Sequence, residues 1–215
     1  MIAVVVGAGP GMGLALAQRF GSGGFTVALI ARRSDALDNY VAQLAEIGVT
    51  AVGFPADIGV PDSLRSAFAQ IRAHLGDPDV LLFNASSNPP GRPDELPIDD
   101  ALTAFNVGAL GALVAIHEVL PAMRKRNSGC LFFTGGGLAL KPWPPSTGLG
   151  MAKAALRNLT ASLAIDLAAT NIHAATVIIN GLVGKPGFEP EVIADRFWEL
   201  YQQPAGAFSA EIIHP

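Results

Sequence analysis

The chain is poor in cysteine and in charge, and each shortage excludes a class of protein. Its 215 residues include one cysteine, Cys130, so no disulfide can form within the chain and a reducing compartment is expected. Only 15% of the residues are charged, against about 25% in an average domain, and the formal net charge is -4. A general nucleic-acid-binding protein would have a basic patch, so nucleic acid is not an expected partner.

The sequence also lacks the usual targeting and membrane segments. Its start, MIAVVVGAGPG, has no basic region and continues directly into glycines, so no signal peptide is predicted. No uninterrupted apolar run approaches the roughly 20 residues of a membrane helix. A cytoplasmic protein without membrane contact is therefore expected. The sequence ends with AFSAEIIHP at 207–215, and the chain is therefore expected to be complete at its end.

The sequence contains apolar runs that alternate with segments of helical length. The predicted strands are 2–6, 25–30, 49–54, 79–83, 129–134, 173–179 and 208–213, and the predicted helices are 11–22, 34–47, 61–75, 99–126 and 149–170. Continuous apolar strands are typical of a parallel sheet that is covered on both faces. The pattern predicts an α/β fold with a doubly wound parallel sheet of about seven strands, of the Rossmann type, in a single domain over residues 1–215.

A glycine-rich turn follows the first predicted strand and precedes the first helix. A nucleotide pyrophosphate needs close backbone N–H groups and the positive end of a helix, and glycine permits that approach. An ordinary glycine-rich turn is the alternative. The candidate cofactor-binding residues here are Gly7, Gly9, Pro10, Gly11, Met12 and Gly13.

The residues after the second strand bear on the choice of nucleotide. An NAD site usually has an acidic residue here for the ribose 2′-hydroxyl, whereas this chain has Ala31, Arg32 and Arg33. Guanidinium groups suit a 2′-phosphate, so NADP is favoured over NAD, unless both arginines are simply solvated at a helix start. Asp57, followed by Ile58, comes after the third strand and suits either an adenine amino group or the cap of the next helix.

With these motifs, the chain resembles the short-chain dehydrogenase/reductase family along essentially its whole length. The glycine spacing of residues 7–13 has the family's form, and Asp57 matches the family's adenine-contacting aspartate. The resemblance implies further cofactor-binding residues, Asn84, Ala85, Ser86 and Lys153, and the catalytic residues Asn106 and Lys153. It implies no metal ion. A backbone-bonding asparagine at a helix kink is the alternative role of Asn106.

The resemblance fails at two active-site positions. Four residues before the lysine, where the family has its catalytic tyrosine, stands Leu149, and thirteen residues earlier, in place of its serine, stands Gly136. The chain is in this respect similar to an atypical branch of the family that lacks both groups. Leucine cannot transfer a proton, although general acid–base catalysis typically contributes about 10²–10⁴-fold.

Two functions follow from this mixture of kept and lost groups. The first is an NADP(H)-binding oxidoreductase with a degenerate active site. The alternative is a non-catalytic dinucleotide-binding protein that acts as a sensor or as the partner of an active paralogue. Lys153 would still bind the nicotinamide ribose in either case.

Few residues are candidates to replace the lost groups. Tyr201 would reach the site only if the C-terminal segment folds over it, and Tyr40 lies in a distant helix. The Thr134 hydroxyl is expected to bond to backbone. The glycine triplet at 135–137 is expected to be a flexible loop or, as the alternative, an anion-binding nest. The histidines are expected to be structural at 117 and 173 and surface residues at 74 and 214.

Apolar residues also bear on the partners. Trp143 and Leu149 make the predicted pocket apolar, so a small-molecule substrate that is partly apolar is expected. Helices 107–124 and 149–170 carry apolar or small residues on more than one face. One face would cover the sheet and the other a second subunit, so a homo-oligomer, a dimer or tetramer, is expected.

Overall fold

The computed structural model describes all 215 residues, which form one seven-stranded parallel sheet with helices on both faces. The strands are β1 (Ile2–Val6), β2 (Thr26–Ala31), β3 (Ala51–Pro55), β4 (Val80–Phe83), β5 (Gly129–Gly136), β6 (Ile172–Ile179) and β7 (Glu211–His214). The helices are α1 (Met12–Ser22), α2 (Ser34–Glu46), α3 (Pro61–His74), α4 (Ile98–Phe105), α5 (Gly111–Arg126), α6 (Thr147–Asp166) and α7 (Pro190–Tyr201). The strand order is β3-β2-β1-β4-β5-β6-β7, and all pairs are parallel, which confirms the predicted sheet.

Both faces of the sheet are buried, as its continuous apolar strands require. Helices α1, α2 and α7 cover one face, with Phe20 and Phe197 fully buried there. Helices α3, α5 and α6 cover the other, where Phe68 and Phe133 are fully buried. Each such side chain contributes about 1.5–3 kcal/mol to folding, so the two cores hold the strand ends in fixed relative positions.

Helix α7 was not predicted from the sequence. Its apolar residues follow a helical period, with Ile193, Phe197 and Leu200 buried, and Pro190 occupies its first turn. The C-terminal strand also differs, because β7 begins at Glu211, so that residues 208–210 precede it. His214, expected at the surface, is buried in β7, where its Nε2 lies 2.7 Å from the backbone oxygen of Gly187.

The helix expected over 99–126 is one continuous helical segment, Ile98–Arg126, with a π-turn at Asn106–Leu110 between α4 and α5. By length and composition alone it could cross a membrane, although no uninterrupted apolar run predicts this. Part of the segment is buried against the protein, since α5 packs on β4 and α3. The core helix of a globular fold passes the same test, so the segment carries little weight for a membrane span.

The sheet order places a cleft at the carboxyl ends of the strands. β1 and β4 are neighbours in the sheet although β2 and β3 separate them in sequence, so the connections leave in opposite directions from this point. Ligands of doubly wound sheets bind in the crevice that such a reversal creates. The residues that follow β1 and β4 lie at its centre.

Candidate active site

Two adjoining cavities lie along the carboxyl edge of the sheet. The first has a volume of about 360 Å³ and is lined by residues that follow β1, β2, β3 and β4. The second has a volume of about 730 Å³ and is lined by residues that follow β4, β5 and β6 and by the start of α6. Asn84 and Ser86 line both cavities. The two cavities therefore form one extended cleft across the switch point of the sheet.

The glycine turn brings the backbone close to this cleft. Gly7 has φ +91°, and a Cβ there would lie 2.6 Å from the Ala85 nitrogen. A Cβ on Gly13 would lie 2.8 Å from the Ala8 Cα, so glycine allows α1 to pack against the turn. Nothing lies within 4 Å of a Cβ on Gly9 or Gly11. Packing thus requires glycine at positions 7 and 13, whereas the backbone at positions 9 and 11 faces open space.

Helix α1 begins at Met12 with Gly11 as its N-cap and without a side-chain cap. The first N–H groups of a helix have no partner within the helix, and they carry its positive dipole end. Met12 lines the second cavity, and Gly7 and Ala8 line the first. Pro10 is exposed at the tip of the turn. The Gly7 and Ala8 N–H groups both donate to the Ile30 carbonyl, so the free donors of the turn are those at the start of α1, beside the second cavity.

The first cavity brings together some of the residues expected to bind the adenosine half of a nucleotide. Arg32, Asp57, Ile58 and Ala85 all line it. Arg33 does not; it lies 3.9 Å from Asp35 in an exposed ion pair at the start of α2. The Oδ1 atom of Asp57 accepts a hydrogen bond from the Gly59 N–H at 2.9 Å, and no side chain caps α3. The helix-cap role of Asp57 is therefore absent.

A chain of hydrogen bonds connects the glycine turn with the second cavity. The Nδ2 group of Asn84 donates to the Gly7 carbonyl at 3.0 Å, and its Oδ1 accepts from the Thr134 hydroxyl at 3.0 Å. Lys153 Nζ in turn donates to the Thr134 carbonyl at 2.6 Å. The expectation that the Thr134 hydroxyl bonds to backbone is wrong, because the hydroxyl fixes the Asn84 amide instead. These bonds connect β1, β4, β5 and α6 at the cleft.

Lys153 is buried and lines the second cavity. Burial disfavours the charged ammonium and lowers the pKa of Lys153 from its usual 10.5 to about 8. Its one protein hydrogen bond, to Thr134, leaves further N–H donors for a ligand. A buried cation without a carboxylate partner destabilises the fold. Packing therefore does not explain the position of Lys153, whereas binding of a ligand would.

Replacement of Lys153 by methionine should stabilise the protein near neutral pH. The lowered pKa corresponds to about 3 kcal/mol, of which the lost bond to Thr134 offsets about 1 kcal/mol. The cost of the charge is fully present below pH 8 and disappears as pH rises from about 8 to 10.5, because the folded protein has then released a proton that the unfolded chain still binds. Urea unfolding across this range measures the effect. Exposed Lys125→Met is the control, and a pH-independent difference would contradict the buried charge.

Asn106 begins the π-turn of the helical segment. Its backbone carbonyl accepts the Gly111 N–H, a bond that spans five residues and widens the helix at this point. A Cβ on Gly111 would lie 2.8 Å from Ile58 Cγ2, so glycine permits close packing beside β3. The side chain of Asn106 is half-buried and lines neither cavity, whereas the following Val107 lines the first.

The two positions at which the resemblance predicts missing catalytic groups lie in the second cavity. Gly136 and Leu149 both line it together with Lys153, one helical turn beyond Leu149 on α6. Gly136 has φ -160°, which any residue adopts, and a Cβ there would lie 3.6 Å from Lys153 Cγ, in ordinary contact. The backbone therefore has room for a serine at this position, and its absence is not imposed by packing.

No tyrosine lines the second cavity. Tyr201 packs against Phe20, Phe25 and Trp198, and its hydroxyl points to Met1 at the other end of the strands. The C-terminal segment therefore does not bring this hydroxyl to the position that Leu149 occupies.

No histidine lines the second cavity either. The side chain of His173 is buried, stacked 4.2 Å from Phe208, with its Nε2 bonded to backbone. The expected structural role of His173 fits these contacts. His117, for which the same role was expected, is instead exposed on α5, because it lies on the face of the helix that points away from the sheet.

The glycine triplet at 135–137 is ordered. Gly135 and Gly136 continue β5 and pair with β6, and Gly137 begins a 3₁₀ turn, Gly137–Ala139. None of the three has a positive φ, so the alternating backbone conformation of an anion nest is missing. Both expectations for this segment, a flexible loop and a nest, are wrong because the strand extends two residues further than its apolar run.

Several lining residues were not predicted from the sequence. Ser87, Thr103 and Val107 line the first cavity, and Asn88, Asn180, Leu182 and Val183 line the second. Those that follow β4 and β6 could have been found from position alone, since ligands bind beyond strand carboxyl ends. Thr103 and Val107 gave no such indication, because they lie within a helix that crosses the cleft.

Comparison with known proteins agrees with the fold. The family model for short chain dehydrogenases matches residues 1–186. A short chain dehydrogenase of Pseudocercospora fijiensis is 32% identical over 174 residues, 79% of this chain and 56% of the relative. An uncharacterised oxidoreductase of Mycobacterium tuberculosis is 30% identical over 221 residues, 99% of this chain and 64% of the relative. The chain thus spans less than two thirds of the length of these curated relatives.

Solved structures give the same result. A short-chain dehydrogenase from Rhodopseudomonas palustris is 28% identical, with a TM-score of 0.89, 99% of this chain and 96% of that chain covered. A metagenomic short-chain oxidoreductase in complex with NADP is 24% identical, with a TM-score of 0.91 and the same coverage, and supports the fold alone. From the match of the family model over most of its length, the chain belongs to the short chain dehydrogenase family.

Proposed function

We propose that this chain binds NADP(H) in the extended cleft and acts as an oxidoreductase with a degenerate active site. The observation that carries the proposal is the hydrogen-bonded connection from Gly7 through Asn84 and Thr134 to Lys153, which joins the glycine turn to the second cavity. When bound, the nicotinamide would supply or accept a hydride.

The lining residues fit the parts of a dinucleotide. The N–H groups at the start of α1, reached across Gly9 and Gly11, would hold the pyrophosphate. The adenosine half would lie in the first cavity, beside Asp57 and Ile58. Ala85 and Ser86 follow β4 between the two halves, and Lys153 would bind the nicotinamide ribose in the second cavity.

Arg32 should decide between NADP(H) and NAD(H). It lines the first cavity, where its guanidinium suits a 2′-phosphate. We expect Arg32→Ala to weaken NADPH binding roughly 3- to 10-fold, because a solvent-exposed ion pair contributes about 1 kcal/mol. NADH binding should change little. Calorimetric titration with both nucleotides measures this.

Arg33→Ala is the matched control for this experiment, because Arg33 is also exposed and does not line the cavity. Equal losses for the two arginines would assign the effect to general charge. A wild-type protein that binds neither nucleotide would overturn the proposed function.

Proton transfer in this cavity would differ from that of a tyrosine-dependent site. Lys141 and Lys153 are the only ionisable side chains that line it. Leu149 offers no proton to a substrate oxygen, so protons would come from Lys153 or from water. The ordinary carbonyl reaction would therefore be slow, and substrates that need little acid catalysis would be favoured.

The missing groups favour the alternative function, a non-catalytic NADP(H)-binding protein that acts as a sensor or as the partner of an active paralogue. Cofactor-side features are present while Gly136 and Leu149 replace the groups that would act on the substrate. Turnover of a carbonyl panel by the wild-type protein would remove this alternative.

We also propose a homo-oligomer, a dimer or tetramer. Exposed apolar side chains lie on the helical segment and on α6, which pack against each other, and they include Ile98, Leu102, Leu110 and Met151. Large exposed apolar patches mark association surfaces. We expect sedimentation to give at least twice the mass of the chain and Leu102→Glu to shift it towards the monomer. An unaltered monomer mass in the wild-type protein would contradict this.

A further inference from the structure

The charge of the second cavity is one-sided. Its nineteen lining residues include two lysines and no aspartate or glutamate, although the chain as a whole has a net charge of -4. The first cavity differs, because it holds Arg32 and Asp57 together. A cavity with cations and no anion attracts an anionic ligand and repels a cationic one.

The two lysines of this cavity differ in how far they are already occupied. Lys153 is buried and donates to the Thr134 carbonyl. Lys141 is exposed and takes part in none of the eight ion pairs of the protein, all of which use arginine. The charge of Lys141 is therefore available to a ligand in the outer part of the cavity.

Part of the lining of the second cavity is apolar and exposed. Trp143 is 58% exposed and Leu182 is 72% exposed, and both line the cavity together with Leu138 and Val183. Exposed apolar side chains that converge on one cavity favour a ligand with an apolar body.

The loop that carries Lys141 and Trp143 is held in place by backbone bonds. The Lys141 N–H donates to the Gly137 carbonyl at 2.8 Å, and the Ser146 N–H donates to that of Trp143 at 3.0 Å. Gly91 and Ser146 form a bridge that ties this loop to the proline-rich loop at 88–93. The backbone that carries Lys141 and Trp143 is thus preformed, which reduces the ordering cost of binding.

We infer that the second cavity takes a carbonyl compound with an apolar body and a carboxylate, and that Lys141 pairs with the carboxylate. The inference rests on the proposed function, because it takes the second cavity as the substrate site. Trp143 and its neighbours would contact the apolar body, and the carbonyl would lie deeper, towards Lys153.

Binding of two matched compounds tests the inference without turnover. 4-Phenylbutanoate and 4-phenylbutanamide share an apolar body and differ in charge. The chain has two tryptophans, and Trp198 packs against Phe20 and Phe25 in a separate cluster. In a Trp198→Phe background, the fluorescence of Trp143 alone therefore reports occupation of the cavity.

We expect the carboxylate to bind roughly two- to fivefold more tightly than the amide, the range for an exposed ion pair. Lys141→Gln should remove this preference, and Lys141→Glu should reverse it. Added salt should weaken the carboxylate alone. Lys125→Gln, an exposed lysine of α5, should leave the preference unchanged.

Equal affinities for the two compounds, or no binding of either up to its solubility limit, would overturn the inference. The inference would also be overturned if Lys125→Gln lost the preference for the carboxylate over the amide. NADPH binding is titrated on the same variants. Absence of NADPH binding with an intact carboxylate preference would overturn the proposed function alone, so the two failures are distinguishable.

Discussion

Gly9→Asp should abolish NADPH binding while leaving the thermal midpoint of unfolding unchanged. Gly9 has no positive φ, and nothing lies within 4 Å of a Cβ built on it, so the fold accommodates a side chain there. The new carboxylate would lie where the pyrophosphate approaches the start of α1. Opposed like charges cost several kcal/mol, which corresponds to a loss of more than about 100-fold in affinity. Calorimetric titration and thermal unfolding give the two quantities.

The control variants separate charge, volume and folding. Gly9→Ala should weaken binding less than Gly9→Asp, because it adds volume without charge. Ala42→Asp adds the same charge on the exposed side of α2 and should leave binding unchanged. Gly13→Val should lower the unfolding midpoint, since its Cβ would collide with the Ala8 backbone. Unchanged NADPH affinity in Gly9→Asp would show that the nucleotide does not cross this turn.

The fold was predictable because its strands are continuous apolar runs and its first helices are separated from them by clear turn residues. Helix α7 was missed although its apolar residues follow a helical period, because a glycine- and proline-rich segment precedes it. The predicted bounds of β7 were wrong for a different reason. Residues 208–213 are apolar enough for a strand, and only the pairing of Glu211–His214 with β6 decides which of them join the sheet.

The site was predictable where a residue acts through its place after a strand. The positions of Arg32, Asp57 and Asn84 in the cleft follow from strand order alone. Partners across the sheet were not predictable. The bond between Asn84 and the Thr134 hydroxyl joins residues fifty positions apart, and nothing in either local sequence indicates it. The separation of Arg32 from Arg33 likewise depends on how α2 leaves β2.

The double substitution Gly136→Ser, Leu149→Tyr should raise NADPH-dependent reduction of carbonyl compounds roughly 10²–10⁴-fold over the wild-type protein. The tyrosine would supply a transferable proton one helical turn before Lys153, whose positive charge would lower the pKa of the hydroxyl. The serine would supply a hydrogen-bond donor to the same substrate oxygen. The rate of NADPH oxidation with a panel of carbonyl compounds measures the gain.

The single variants, Gly136→Ser and Leu149→Tyr, show whether the two new groups act together. Because the two hydroxyls and the lysine act on one oxygen, their effects should not add, and each single substitution should recover only a small fraction of the gain. Adding Lys153→Met to the double variant should remove most of it. A gain in the double variant with an inactive wild-type protein would favour the non-catalytic binding function. Comparable turnover in the wild-type protein would instead show that Lys153 or water already supplies the proton, and that Leu149 belongs to a working site.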